Sequence, residues 1–221
     1  MSGGLALSWS GGKDSALALW TLREESFMPT ALLATVTEDY GRVSTHGVRR
    51  SLLRRQAAAV GLPLVEVEIP AGCTNELYEN RLAAAFAGSE LAAVDEVAFG
   101  DLFLEDIRAY RESRLAAAGK RARFPVWGRD TVALAARFLA AGFRAILVCV
   151  DPRTLDPSFV GRDYDERLLA ELPAGVDPCG ENGEFHTFVT AGPILDRPIE
   201  CRRGDVVERD GFVFCDLLDA R

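Results

Sequence analysis

The chain has 221 residues, 48% hydrophobic and 26% charged, the balance of a packed globular protein of about one and a half domains, which excludes a large multidomain assembly and a disordered chain. Its 25 basic and 33 acidic residues leave a net charge of -8, which argues against general binding to nucleic acid or anionic membrane and turns attention to small-molecule chemistry. Five cysteines, odd in number and without a C-x-x-C pair, exclude a disulfide framework and a zinc ribbon and point to a reducing cytoplasm.

The predicted elements begin with a strand over Leu5 to Trp9, a helix over Ser15 to Glu25 and a strand over Ala31 to Thr37. A helix over Val48 to Val60 is ended by Gly61 and Pro63, and a third strand covers Leu64 to Ile69. The alternation continues with a helix at Glu76 to Ala87, a strand at Glu96 to Gly100, helices at Leu104 to Ala118 and Val132 to Ala141, and a strand at Ala145 to Val150. Such alternation predicts an α/β fold, a Rossmann-like parallel sheet with helices on both faces. After Asp151 six prolines crowd a region with one helical pattern, Tyr164 to Leu172. From Phe185 the residues favour strands, and Asp210-Gly211 marks a two-residue hairpin turn inside Val206 to Phe214. A smaller C-terminal α+β domain is expected, dividing the chain into 1–125 and 126–221 with the boundary anywhere from 120 to 151. Met1 to Leu7 lacks a basic leader, and no run of 18 uncharged apolar residues occurs, so neither secretion nor a membrane span is expected.

Where the first strand meets the first helix stands Ser8-Trp9-Ser10-Gly11-Gly12-Lys13-Asp14-Ser15. Open α/β sheets bind ligands at this carboxyl edge. Two glycines permit close approach of an anion, the helix start offers free N–H groups and a positive dipole end, and Ser10, Ser15 and Lys13 add donors. Lys13 is one of only two lysines, with Lys120. The spacing fits neither the Walker loop nor the dinucleotide fingerprint. The bland alternative is a tight turn with an Asp/Ser helix cap, which needs neither the two glycines nor the lysine. Residue for residue, Ser10 to Ser15 resembles the S-G-G-x-D-S signature of PP-loop ATP pyrophosphatases, the adenine nucleotide alpha hydrolase-like sheet of HUP type. That resemblance implies ATP bound by Ser8, Ser10, Gly11, Gly12, Lys13, Asp14, Ser15 and Thr35, with Lys13 gripping the departing pyrophosphate and Asp14 as a Mg²⁺ ligand. His46, before the basic run Arg49-Arg50, reads as a cap or surface residue, with nucleotide contact as the alternative.

The second constellation, Asp177 to Thr187, packs Cys179, Gly180, Glu181, Asn182, Gly183, Glu184 and His186 before a predicted strand. These groups can bind ammonium, hold a metal or move protons, against the alternative of an elaborate polar turn. Zinc binding by Cys179 and His186 lacks a second close pair. Together with S-G-G-K-D-S, the run G-E-N-G-E-F-H-T is similar to the diphthine-ammonia ligase family. Phe99-Gly100-Asp101, Arg111 to Arg114, Pro125-Val126-Trp127 with Asp130, and Val160-Gly161-Arg162 with Asp165 extend the resemblance over nearly the whole chain.

What the resemblance implies is a ligase that adenylates a carboxylate, releases AMP and pyrophosphate, and transfers ammonia. Lys13, Asp14, Asp101, Glu181, Glu184 and His186 would serve catalysis; Trp127, Arg162, Cys179, Gly180, Glu181, Asn182, Glu184 and Thr187 would meet substrate or ammonia. Each has a plainer reading: Asp101 as a helix cap, Trp127 as packing, Arg162 paired with Asp163 or Asp165. The acceptor is a small metabolite or a modified protein side chain; an arginine-rich, lysine-poor chain suits a GC-rich bacterial genome, where a corrinoid-type acid is one candidate. A tRNA-modifying PP-loop enzyme and an ATP-binding sensor without turnover stand as rival functions, and whether the chain forms a homodimer stays open.

Overall fold

The computed structural model describes residues 3–220; Met1 and Ser2, the first residues of the segment read for a leader, lie outside them. One sheet holds β1 (Gly4–Ser8), β2 (Ala31–Thr37), β3 (Arg42–Val43), β4 (Leu64–Ile69), β5 (Val94–Ala98) and β6 (Arg121–Arg123). The parallel strands run in the order β4-β2-β1-β5-β6. β3 is added antiparallel to β2, where Val36 faces Val43. Helices α1 (Lys13–Glu24), α2 (Arg50–Val60), α3 (Asn75–Ala87) and α4 (Glu105–Ala117) connect them, followed by α5 (Thr131–Ala140) and the short α6 (Glu166–Glu171).

The two-residue period of a strand explains how both faces are filled. Leu5 and Leu7 of β1 and Leu32, Ala34 and Val36 of β2 turn to one side, packing with Leu17 and Leu19 of α1, Leu52 and Leu53 of α2 and Phe138 of α5. The alternate residues Ala6, Ala31, Leu33 and Val97 turn to the other, against Phe86 of α3 and Leu115 of α4.

A second sheet, entirely antiparallel, has the order β8-β7-β10-β9, from β7 (Arg144–Val150), β8 (Phe185–Ala191), β9 (Cys201–Arg209) and β10 (Phe212–Asp219). The β9–β10 hairpin closes at Asp210 and Gly211, both with positive φ (53° and 81°), as the primed turn requires. The larger apolar cluster runs without a break from β1 and α1 into β7, β8 and β10. Both sheets therefore share one core.

The expected architecture is present, with local differences. β3 and β6 are not predicted, since two or three residues cannot display a period, and Arg121-Ala122-Arg123 lacks apolar alternation. The helix expected over Tyr164 to Leu172 shortens to α6, because Asp165 caps it by accepting the Leu168 N–H (2.8 Å) and Tyr164 is buried in the core. Among the described residues no helix is long and apolar enough to cross a membrane.

Candidate active site

At the carboxyl edge of the parallel sheet a cavity of roughly 570 Å³ opens above β1 and β2. Its floor is the signature loop. Gly11 takes φ +80°, and a Cβ there would come within 2.7 Å of the Gln56 side chain. Gly12 has an ordinary φ of -84°, but a Cβ would meet His46 Nε2 at 2.9 Å and the Thr187 carbonyl at 3.1 Å. The first glycine is required by conformation and the second by space.

Three long-range contacts hold the loop in place. Buried Gln56 accepts from Trp9 Nε1 (2.9 Å) and donates to the carbonyls of Gly11 (3.1 Å) and Val189 (2.7 Å). The Val189 N–H donates to Gly11 O (2.9 Å). Thr187 Oγ1 accepts the Lys13 N–H (3.0 Å), so β8 caps α1, whose N-cap Gly12 has no side chain for the task. Ser10 and Ser15 present hydroxyls 3.4 Å apart beside the helix start.

Lys13 occupies a different place from the one expected. Its side chain is 2% exposed and is not part of the cavity wall. Nζ donates to both Asp14 oxygens (2.7 and 2.9 Å) and to the Cys179 carbonyl, and it lies 5.7 Å from the centre of the Phe185 ring. Burial is the largest influence and opposes the charge, yet Asp14 together with Cys179 and Asp177 outweighs it and holds the ammonium pKa above its ordinary value. The ammonium is thus a bolt between the loop and residue 179, set behind Asp14. The first-turn Lys13 side chain thus turns into the core, while Asp14 faces the cavity.

The second constellation lies against the first. Its carboxylates fold the turn: Glu184 Oε1 accepts the Asp177 N–H (3.0 Å) and the Asn182 amide (2.9 Å), while Asp177 Oδ2 accepts the Glu181 N–H (2.9 Å). Glu184, 3% exposed, and Asn182 shape this turn and do not line the cavity. Gly180 and Glu181 do. Glu181 Oε1 accepts the Leu102 N–H at 2.6 Å, and burial, reinforced by the Asp14 and Asp101 charges, pushes its carboxyl up to about 7. Asp101 faces the same space with Arg111 Nε 2.6 Å from Oδ2.

The chain's two histidines meet here. His46 and His186 stack with ring centres 4.5 Å apart. Burial brings His186 down to about 4 and, with the neighbouring His186, holds His46 well below its ordinary value, so both rings are neutral at pH 7. His46 is therefore part of the cavity wall.

Ser8 and Thr35 line the wall between β1 and β2. Cys179 is buried, its thiol pushed up to about 12 by burial; what it offers is its carbonyl. Two expected substrate residues lie elsewhere. Trp127 packs on Phe124 (5.6 Å) with the Arg108 guanidinium 4.8 Å from its ring, and Arg162 pairs with Glu171 (2.7 Å), a partner its near neighbours in sequence did not indicate. Sequence reasoning missed Gln56 altogether. Its signal was a polar residue at a core position of the α2 stripe Leu52, Leu53, Gln56, Ala57, Val60.

Asp14 and Asp101 are the carboxylates facing the cavity beside the loop. Among the described residues no cluster of three or more potential ligands stands on its own. Magnesium on a nucleotide takes one or two carboxylates with phosphate oxygens and water, and this donor set fits that demand.

Residues 4–121 match the family model described as the diphthamide synthase N-terminal domain, and residues 130–216 that of the diphthamide synthase C-terminal domain. Over 111 residues the chain is 32% identical to a diphthine-ammonia ligase of Danio rerio, covering 48% of this chain and 44% of the relative. Over 101 residues it is 30% identical to a diphthine-ammonia ligase of Bos taurus, covering 43% and 38%. The chain spans less than half the length of these curated relatives. A crystal structure of a predicted subunit of tRNA methyltransferase from Methanocaldococcus jannaschii aligns over 90% of this chain and 100% of its own at 18% identity, with a TM-score of 0.43.

Proposed function

The chain belongs to the diphthamide synthase family, and on that premise we propose that it is an ATP-dependent ligase joining ammonia to a carboxylate of its acceptor. The observation that carries this reading is a single cavity with two walls. One is the anion-binding start of α1; the other is the carboxyl-bearing loop at Gly180 and Glu181, tied to the first through Thr187 and Val189.

ATP lies with its phosphates on the Ser10 to Ser15 segment, where first-turn N–H groups and two hydroxyls meet anionic oxygen. Ser8 and Thr35 face the nucleoside side. A carboxylate oxygen of the acceptor attacks the α-phosphorus, and the bond to the pyrophosphate oxygen breaks. Magnesium, held by Asp14 and Asp101 with phosphate oxygens, would supply charge neutralisation. Ammonia nitrogen then attacks the acyl carbon, AMP leaves with the C–O electron pair, and the surplus proton passes to a base. Glu181, titrating near 7, is matched to that task. The neutral histidine pair walls the site without adding positive charge that would repel ammonium. Lys13 acts by position, holding Asp14 and residue 179 together.

Product analysis tests this. Incubation with ATP, Mg²⁺ and ammonium, with and without fractions of a small-molecule or protein extract, is expected to give AMP and pyrophosphate in equal amounts, dependent on one fraction. ADP and phosphate as products would overturn the α-phosphorus mechanism.

A further inference from the structure

A second cavity, roughly 550 Å³, adjoins the first behind the histidine pair. The two share His186, Val43, Ser44, Thr45 and Ile69 as walls, so they adjoin with the histidine at the junction. Its far end is built from the β9–β10 hairpin and the segment after β2, and its charged side chains are Arg42, Arg209 and Asp210. Most arginines of the described residues hold a carboxylate at hydrogen-bonding distance, as Arg50, Arg111, Arg153 and Arg162 do. Arg209 does not. Its nearest carboxylate is Asp210, 3.9 Å away on a side chain 81% exposed at the hairpin tip. Instead the guanidinium sits 4.5 Å from the centre of the Tyr40 ring and 4.9 Å from that of Phe214, and all three residues line the cavity. Aromatic faces fix a guanidinium without using its N–H donors, which leaves the fork free for a ligand. Arg42, also in the wall, shares the single Asp216 carboxylate with Arg49 (2.8 and 2.6 Å), so that cluster too keeps a surplus positive charge.

We propose that this cavity is the acceptor site and that the acceptor is an acidic small molecule bearing, besides the carboxylate that is amidated, a second carboxylate or phosphate bound by Arg209. The anion seats on Arg209 at the outer end, and the reacting carboxylate reaches past His186 to the α-phosphorus in the first cavity. The wall carries two cations, Arg42 and Arg209, against one carboxylate, Asp210, on the exposed hairpin tip, a balance that favours a second anionic group on the acceptor. This inference rests on the ligase reading and names its substrate class.

The test uses the full chain with Mg²⁺ and α,β-methylene-ATP. Calorimetry first establishes binding of the nucleotide analogue; titrations with tricarballylate, glutarate and carnitine follow. The two polycarboxylates are expected to bind and carnitine not to. Arg209→Gln should weaken tricarballylate at least about tenfold, the loss of a charge-assisted pair, with nucleotide affinity unchanged, and Arg209→Lys should recover part of the loss. Polycarboxylates that fail to bind the nucleotide complex, bind Arg209→Gln equally well, or bind more weakly than carnitine would overturn the proposal. Failure of the nucleotide analogue to bind would instead overturn the ligase reading itself, and this one with it.

Discussion

Glu181→Gln separates chemistry from architecture at the candidate site. Glutamine keeps the Oε1 acceptor that receives the Leu102 N–H at 2.6 Å, so the loop geometry should survive while the titratable proton is lost. Burial first, then the Asp14 and Asp101 charges, raises the carboxyl from 4.5 to about 7, which corresponds to roughly 3 kcal/mol against the charged form. Solvent in the cavity makes that an upper bound. A folded-state pKa above the unfolded value means the native protein binds the proton more tightly. That contribution is fully present below 4.5 and is lost as pH rises through about 7. The variant should therefore gain stability relative to the parent between pH 5 and 8, by up to about 3 kcal/mol in urea unfolding. In the ligase assay at constant free ammonia, the parent should show a one-proton limb rising through about pH 7, absent from Glu181→Gln, with ATP binding retained. An unchanged limb, or undiminished amidation by the variant, would remove Glu181 from proton transfer.

Two further substitutions probe the loop. Gly12→Ala meets no conformational bar, but its methyl group would press on His46 Nε2 at 2.9 Å and the Thr187 carbonyl at 3.1 Å; overpacking of this kind costs about 1–3 kcal/mol, and ATP affinity measured by calorimetry should fall at least about tenfold. Gln56→Ala leaves Trp9 Nε1 and the Val189 carbonyl without their buried partner and should destabilise the fold by about 3 kcal/mol; a loss below about 0.5 kcal/mol would show that water replaces those bonds.

The parallel sheet was legible because β1 and β2 carry apolar runs and β4 alternates apolar and acidic residues between Pro63 and Pro70, and the hairpin because Asp210-Gly211 is a local turn code. The loop was legible because its chemistry is contiguous: six residues in sequence carry the two glycines, the hydroxyls and the helix start. The second segment was legible as chemistry, and its division of labour was not. Glu181 and Glu184 are indistinguishable in a string, yet one turns to the cavity and the other inward to accept two donors of its own turn. Trp127 and Arg162 are assigned by motif but placed by packing, against Arg108 and Glu171. Arg209 has no local signature at all, since what marks it is the arrival of Tyr40 and Phe214 from elsewhere in the chain.

The position of Lys13 ties the second sheet to the loop proposed to receive nucleotide. A lysine beside two glycines invites assignment to phosphate, but here its backbone N–H is taken by Thr187 and its ammonium by Asp14 and the Cys179 carbonyl. Gly11 O receives both the Val189 N–H and the Gln56 amide. Without β8 and the turn before it, the ammonium would lose one partner, the helix start its cap, and Gln56 one of its three bonds. Each group is buried, so each loss costs about 1–3 kcal/mol, and two of the three fall on Lys13. The geometry of the Ser10 to Ser15 loop is thus specified jointly by residues near 11 and near 187, which on the proposed reading couples nucleotide binding to the loop that carries Glu181.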